Sequence, residues 1–150
     1  MTKLIIDADT GSDDAVAILM AYRNLSEKDI IGVTVVSGNV PLEQGLLNTI
    51  FVNELCDVSV PIYRGASKPL ERDYVEVYKT DEANKIALSY ENYSTSAQHV
   101  HGVDGLGDIG IKPEGNNIEK ETAQEFYSMV LDSEDELEIV TLGPLTNIAE

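Results

Sequence analysis

Short apolar segments typical of buried strands alternate along the chain with longer segments that have helical periodicity. Four such runs are the predicted strands: 3–9, 30–36, 60–63 and 137–142. A helical pattern follows the first run from Asp13, and another follows the second run from Pro41. Strands that alternate with helices form parallel sheets through right-handed crossovers. The sequence therefore predicts an α/β fold, in which a mostly parallel, Rossmann-like sheet has helices on both faces.

Apolar residues at helical spacing predict which side of each helix packs against the sheet. In the first helix the predicted core residues are Val16, Ile18, Leu19, Met20 and Tyr22. In the second they are Leu47, Ile50, Phe51 and Leu55.

The segment 64–116 lacks a comparable pattern. Glycine, proline, asparagine and tyrosine are scattered through it, and only one helix is predicted, near residues 80–90. Long irregular segments in compact domains commonly serve as active-site lids, so we expect an insertion at 64–116 with a mobile lid at 70–108. We expect its tyrosines to anchor this lid: Tyr74, Tyr78, Tyr90 and Tyr93.

The end of the sequence bears on domain organisation. Pro144 is placed to start a helix that reaches only Glu150. A domain is not expected to end one turn into a helix. Residues 1–150 are therefore expected to be the N-terminal part of a single α/β domain whose C-terminal part lies beyond this sequence.

The charge of the chain limits its partners. The net charge is −17, which argues against binding of nucleic acid and of anionic membrane surfaces. No long uncharged apolar run is present, and the N-terminus lacks the features of a signal peptide, so a cytoplasmic location is expected.

Four aspartates lie at and just after the end of the first strand, in the sequence "IIDADTGSDD", residues 5–14. Side chains alternate along a strand, so Asp7 and Asp9 are expected on one side. Gly11 permits a sharp turn into the helix, whose first turn contains Asp13 and Asp14. A helix cap explains one of these aspartates, or two at most.

The remaining carboxylates need a counter-charge. A divalent cation supplies it, and oxygen ligands suit Ca²⁺ or Mg²⁺, whereas the absence of clustered cysteine and histidine argues against zinc. Asn39 follows the second strand and "LGPLTN" the last one. Ligands of open parallel sheets bind outside the carboxyl ends of the strands, so we expect these residues to share one crevice with the aspartates.

Three known acidic or phosphate-binding motifs can be compared with this turn. An EF-hand loop from Asp7 would need glutamate where Ile18 stands, and no Walker A motif is present. Phosphatases of the haloacid dehalogenase type begin with D-x-D-x-[TV], which "DADTG" matches except for Gly11. An aspartate phosphatase therefore stays as an alternative, although it leaves Asp13 and Asn39 unexplained.

The motifs "DADTGSDDAVAILMA", "VTVVSGNV", "HGVDGLGD" and "LGPLTNIA" occur in this order between residues 3 and 149. With them the chain resembles the inosine–uridine-preferring nucleoside hydrolases. Thr10 stands where many members have proline. The chain also stops before the part of that family that carries further ribose-binding residues, a last metal-binding aspartate and, in some members, a leaving-group histidine.

The resemblance implies a role for individual residues. Asp9 and Asp14 match Ca²⁺ ligands, and Leu142 stands where the family donates a main-chain carbonyl to the ion. Asp9 also matches the general base that takes a proton from Ca²⁺-bound water. Asp7 matches an opening aspartate that supports the turn.

Three further residues match substrate contacts: Asp13 a ligand of the ribose hydroxyls, Asn39 a residue of the nucleoside site, and His101 a residue near the mouth of the pocket. The implied activity is hydrolysis of the N-glycosidic bond of ribonucleosides to free base and ribose, in proteins that often form homo-oligomers. A field of carboxylates suits this reaction, because positive charge develops on the sugar. A non-catalytic relative that binds only Ca²⁺ or ribose is the third hypothesis.

Overall fold

A five-stranded sheet forms the centre of the structure, a computed structural model that describes residues 2–70, 97–133 and 136–150. The strands are β1 (Lys3–Ala8), β2 (Ile30–Val35), β3 (Ile62–Arg64), β4 (Ile118–Thr122) and β5 (Leu137–Thr141). The helices are α1 (Ser12–Asn24), α2 (Leu42–Cys56), α3 (Gln98–His101), α4 (Ala123–Leu131) and α5 (Thr146–Ala149). All four pairs of neighbouring strands are parallel, which confirms the predicted α/β fold.

The order of the strands places β1 between β2 and the edge strand β5. The order is β4-β3-β2-β1-β5, so the chain moves outward from β1 to β4 and then returns to add β5 on the other side of β1. The carboxyl ends of β1 and β5 therefore meet where the direction of winding reverses. Open α/β sheets bind their ligands at this position.

One face of the sheet is covered by α1 and α2. Ile6 and Ala8 of β1 alternate with residues of the opposite face and pack with Ile18 of α1 and Leu46 of α2 in the larger of the two apolar cores. Full burial of the isoleucine and leucine side chains in this core stabilises the fold by roughly 1.5–3 kcal/mol each.

The predicted core sides of these two helices were too broad. Ile18, Tyr22 and Ile50 are buried as predicted. Four other predicted core residues are 43–58% exposed: Val16, Met20, Leu47 and Leu55. Both helices are apolar on more than one side, and a sheet covers only one stripe of a helix, so apolar periodicity alone does not identify the buried stripe.

The opposite face is covered by α4. Phe126 of this helix stacks on Tyr63 of β3, with ring centroids 3.8 Å apart and planes 9° from parallel. The stack lies over Gly32, where a β-carbon would stand 2.7 Å from the Tyr63 ring. Helices therefore cover both faces, as predicted.

The outer side of the sheet at β5 remains apolar and open. Among the described residues β5 pairs only with β1, and Ile139 and Val140 are 37% and 43% exposed. Leu145 and Ile148 beside them are 58% and 42% exposed.

The predicted insertion is described only at its ends, 64–70 and 97–116. The predicted helix near 80–90, the four tyrosines and most of the lid at 70–108 lie outside the described residues, so the lid stays a prediction. No helix in the described ranges is long and apolar enough to cross a membrane.

Candidate active site

Asp9 lies directly after β1 and is only 4% exposed. Its Oδ2 accepts a hydrogen bond from the backbone N–H of Asn39, at 2.5 Å. Its Oδ1 is buried as well, and no hydrogen-bond donor reaches it from the described residues. The Asp9 carboxylate therefore has one oxygen that is available to a ligand.

Two glycines enclose this carboxylate from neighbouring strand ends. A β-carbon at Gly38, which follows β2, would stand 2.1 Å from Asp9 Oδ2. A β-carbon at Gly143, which follows β5, would stand 2.8 Å from Oδ1 and 2.9 Å from the backbone nitrogen of Asp9. Only glycine fits at either position unless the carboxylate moves.

Asp14 lies in the first turn of α1 and is 5% exposed. Its Oδ2 accepts hydrogen bonds from the backbone N–H of Gly11 at 2.9 Å and from the side-chain amide of Asn39 at 3.0 Å. Asn39 therefore bridges the two carboxylates, with its backbone bound to Asp9 and its side chain bound to Asp14. The turn brings Asp9 and Asp14 together, as the sequence predicts.

The electrostatics of this pair favour a bound cation. Burial, followed by the negative charge of Asp14, raises the pKa of Asp9 to about 6. Burial also raises the pKa of Asp14, and the negative charge of Asp13 raises it further. A divalent cation would offset both effects and would occupy the unpartnered oxygen of Asp9, so the donor set fits a hard ion that prefers oxygen.

The ligand set is incomplete in the part of the chain that the structure describes, where no three Asp, Glu, His or Cys side chains form a metal-binding group. Leu142 directly precedes Gly143, which lies against Asp9. The N–H of Leu142 donates to the carbonyl of Asp7 at 2.8 Å. Its carbonyl is the third predicted ligand, and that assignment stays a prediction.

Asp13 and His101 lie at the rim of the site formed by Asp9 and Asp14. Asp13 is in the first turn of α1, and His101 contacts the start of that helix at Ser12. The Asp13 side chain is 78% exposed. The prediction that all four aspartates converge at the strand end was therefore wrong for Asp13. His101 ends the short helix α3 and is buried, with its Nδ1 2.8 Å from Ser12 Oγ and 3.7 Å from Asp13 Oδ1. Both contacts use the same ring nitrogen, so this is not a serine–histidine–aspartate relay, in which the two partners face different nitrogens.

Asp7 belongs to a separate polar network, which we call the Asp7 network (Asp7, Thr34, Tyr127 and Asn147). The Asp7 side chain is fully buried, and its Oδ2 is contacted by three donors. Thr34 Oγ1 lies at 2.5 Å, Asn147 Nδ2 at 2.7 Å and Tyr127 Oη at 3.3 Å. Burial raises the pKa of Asp7, and these three hydrogen bonds oppose the increase. The network fits the predicted supporting role.

Sequence reasoning did not identify several residues that shape this region. Asn147 also links the Asp7 network to Ala66, because its Oδ1 accepts a hydrogen bond from the backbone N–H of Ala66 at 2.7 Å. Gly38, Gly143 and Asn147 all lie inside the motifs "SGN" and "LGPLTN", where the position after a strand end was the available signal. Tyr127 is distant in sequence from every predicted site residue and had no such signal.

Comparison with known proteins gives a consistent result. The family model described as "Inosine-uridine preferring nucleoside hydrolase" matches residues 4–150. The chain is 36% identical to uridine nucleosidase 1 of Arabidopsis thaliana, over 98% of this chain and 38% of that protein. It is 30% identical to a pyrimidine-specific ribonucleoside hydrolase of Escherichia coli, over 98% of this chain and 41% of that protein.

A solved structure agrees with these matches. The purine-preferring ribonucleoside hydrolase from Gardnerella vaginalis superposes with a TM-score of 0.75 at 32% identity, over 99% of this chain and 42% of that one. The chain thus spans about two fifths of the length of these relatives. The family match supersedes the phosphatase alternative, and the chain belongs to the inosine–uridine-preferring nucleoside hydrolase family.

Proposed function

We propose that this chain supplies the general base and part of the cation site of an enzyme that hydrolyses the N-glycosidic bond of ribonucleosides to free base and ribose. One observation carries the proposal. The Asp9 carboxylate is buried at the carboxyl end of β1, beside Asp14, with one oxygen that meets no donor among the described residues.

The reaction requires a water molecule to attack the anomeric carbon of the ribose while the bond to the base breaks. Asp9 is proposed to take a proton from this water. Burial raises the pKa of Asp9 to about 6 in the cation-free protein, and a bound cation would offset that increase. The carboxylates of Asp9 and Asp14 also stabilise the positive charge that develops on the sugar.

Asp9, Asp14 and the main-chain carbonyl of Leu142 are the proposed ligands of one Ca²⁺ ion. When bound, the ion lowers the pKa of water and orients it toward the sugar. Ca²⁺ accepts six to eight oxygen ligands, so water and substrate hydroxyls would complete the set. The support for this assignment is the buried carboxylate pair, the unpartnered oxygen and the lack of soft ligands beside them.

Asp13, Asn39 and His101 are the proposed substrate contacts. Asp13 is exposed at the rim and is free to accept hydrogen bonds from ribose hydroxyls. Asn39 and His101 both lie against Gly11, because a β-carbon there would stand 2.9 Å from Asn39 Nδ2 and 3.2 Å from His101 Nδ1. The names of the relatives include uridine, pyrimidine and purine nucleosides, so the proposal covers ribonucleosides without a choice of base. The homo-oligomeric assembly and the cytoplasmic location stay predictions.

The test is product analysis with the full-length protein at saturating Ca²⁺. Release of free ribose from uridine or inosine supports the proposal. Calcium binding without any ribose release from purine or pyrimidine ribonucleosides would contradict it and favour the non-catalytic relative. Phosphate release from a phosphomonoester, measured in parallel, would instead support an aspartate phosphatase.

A further inference from the structure

The buried side chain of Asn48 in α2 donates two hydrogen bonds that no proposed catalytic role requires. Its side chain is fully buried, and its amide nitrogen donates to the carbonyl of Thr10 at 2.8 Å and to the carbonyl of Asp104 at 2.9 Å. Its Oδ1 accepts a hydrogen bond from Gln44 Nε2 at 2.9 Å. One rigid amide group therefore joins two segments that are 94 residues apart in the chain, Thr10 and Asp104.

The first segment is the aspartate turn, residues 7–14. Thr10 lies between Asp9 and Gly11 and is fully buried. Its hydroxyl is 2.8 Å from that of Thr49, the residue after Asn48 on α2. Helix α2 thus holds the turn at Thr10 by two contacts, one to its side-chain hydroxyl and one to its backbone carbonyl.

The second segment is the histidine loop, residues 101–110. The Asp104 carboxylate accepts hydrogen bonds from the backbone N–H groups of Leu106, Asp108 and Gly110, at 2.8, 2.8 and 3.2 Å. Asp108 Oδ1 accepts others from Val103 and Asp104. The loop is therefore bonded mainly to itself.

Within the described residues, the histidine loop meets the rest of the chain at few polar contacts. His101 contacts Ser12 at one end, and Asn48 binds Asp104. Gly105, at φ +80°, lies directly against Asn48, since a β-carbon there would stand 2.9 Å from Nδ2. A side chain at this position would push the loop away from α2.

We propose that Asn48 is a positioning residue that sets the distance between the aspartate turn and the histidine loop, and so holds His101 at the rim of the site. The link to catalysis rests on the proposed function. Loss of the amide leaves the carbonyls of Thr10 and Asp104 without this donor, and we expect the loop to move away from α2 and its internal hydrogen bonds to open more often. Displacement of a substrate-contacting group by about 1 Å can reduce catalytic efficiency by roughly 10²-fold.

Asn53 provides a matched control on the same helix. It is 1% exposed, its Nδ2 donates to the carbonyl of Val60 at 2.8 Å, and its Oδ1 accepts from Tyr22 Oη at 2.7 Å. Its hydrogen bonds resemble those of Asn48, but they reach neither the aspartate turn nor the histidine loop. Asn48→Ala and Asn53→Ala should therefore cost comparable stability and differ only at the site.

The experiment compares these two variants in the full-length protein, by amide hydrogen exchange and by kinetics with uridine and inosine. The amide of Gly107, which donates to the carbonyl of His101 at 2.7 Å, and that of Asp108 report on the loop. In Asn48→Ala we expect at least tenfold faster exchange at these amides and a fall in kcat/KM of about 10- to 100-fold, mainly through a higher KM. In Asn53→Ala both quantities should stay within about threefold of the parent after correction for global stability.

Equal exchange and equal kcat/KM in the two variants would overturn the proposal. If Asn48→Ala does not fold, Asn48→Ser and Asn53→Ser replace the pair, because a serine hydroxyl can keep one of the two hydrogen bonds. If the parent releases no ribose, the proposed function fails, whereas the exchange rates still decide whether Asn48 holds the loop.

Discussion

Asp7 and Asp9 are separated by one residue at the end of the same strand, yet their surroundings differ. Both are buried, and each has an Oδ1 that meets no donor within the described ranges. Three side-chain donors converge on Asp7. The Asp9 carboxylate accepts the backbone N–H of Asn39, and two glycines lie against it.

The difference shows how a fold separates a structural carboxylate from one that can act on a ligand. The donors of Asp7 belong to β2, α4 and α5, so its charge is used to hold three elements together. Around Asp9 Oδ1 the described residues place no donor, so none of them competes with a cation or water for that oxygen. Removal of the two carboxylates should therefore have different consequences.

The largest expected effect is that of Asp9→Asn on turnover. The amide keeps the shape and one oxygen ligand but is not basic, so kcat should fall by roughly 10²–10⁴-fold at saturating Ca²⁺ while KM changes much less. Steady-state kinetics of the full-length protein measure this. Asp132→Asn, an exposed position after α4, is the control. Turnover within a few-fold of the parent would mean that another group takes the proton.

The next effect separates the cation site from the Asp7 network. Asp14→Ala should lower the Ca²⁺ affinity by more than the roughly 10- to 100-fold typical of losing a supporting group, because it removes a direct ligand. Calorimetric titration measures the affinity. The comparison variant is Asp7→Asn, for which we expect a much smaller loss. Unchanged affinity in Asp14→Ala would refute its role as a ligand.

Asp7→Ala should mainly affect stability. It leaves the donors of Thr34, Tyr127 and Asn147 buried without their acceptor, and the expected loss in the free energy of unfolding is about 3 kcal/mol. Urea unfolding measures it, with Asp7→Asn as the milder variant because an amide oxygen can still accept. A loss in Asp7→Ala no greater than in Asp7→Asn would contradict a structural role for the network.

The smallest effect has the opposite sign and appears in Ca²⁺-free buffer. The folded-state pKa of Asp9 is raised to about 6, so its ionisation opposes folding. Its contribution to stability is complete below the unfolded pKa near 3.8 and is lost as the pH rises through about 6. Asp9→Asn should therefore be more stable than the parent at pH 7, by on the order of 1–3 kcal/mol, and should lose this advantage below pH 4. Thermal unfolding at several pH values tests the sign, and an advantage that grows toward low pH would contradict it.

Much of this architecture could be predicted from local sequence. The isoleucine- and valine-rich runs located β1 and β2, and the glycine between pairs of aspartates predicted that Asp9 and Asp14 meet across a tight turn. β4 and α4 were not predicted, although Thr122 and Glu125 form a capping box at the start of α4 that has a local signature. The strand before it, "IEKET", is mostly exposed and lacks the apolar pattern on which the other predictions depend.

The remaining features depend on contacts between distant residues. The exposure of Asp13 follows from how α1 is rotated on the sheet, which the four aspartate positions do not specify. Gly38 and Gly143 are important because both approach Asp9, and Tyr127 because it reaches Asp7 from 120 residues away. Such relations exist only after the sheet has formed, so no window of the sequence contains them.

The hydrogen bond between Asp7 and Asn147 spans 140 residues and has a consequence for synthesis on the ribosome. At roughly 5–20 residues per second, on the order of ten seconds pass between the addition of the two residues. During this interval the nascent chain holds its aspartates in water, where they are hydrated and have no need of partners. Burial of these charges must wait until the strand and helix that complete their surroundings have emerged, so the crevice is expected to be among the last parts of this chain to form.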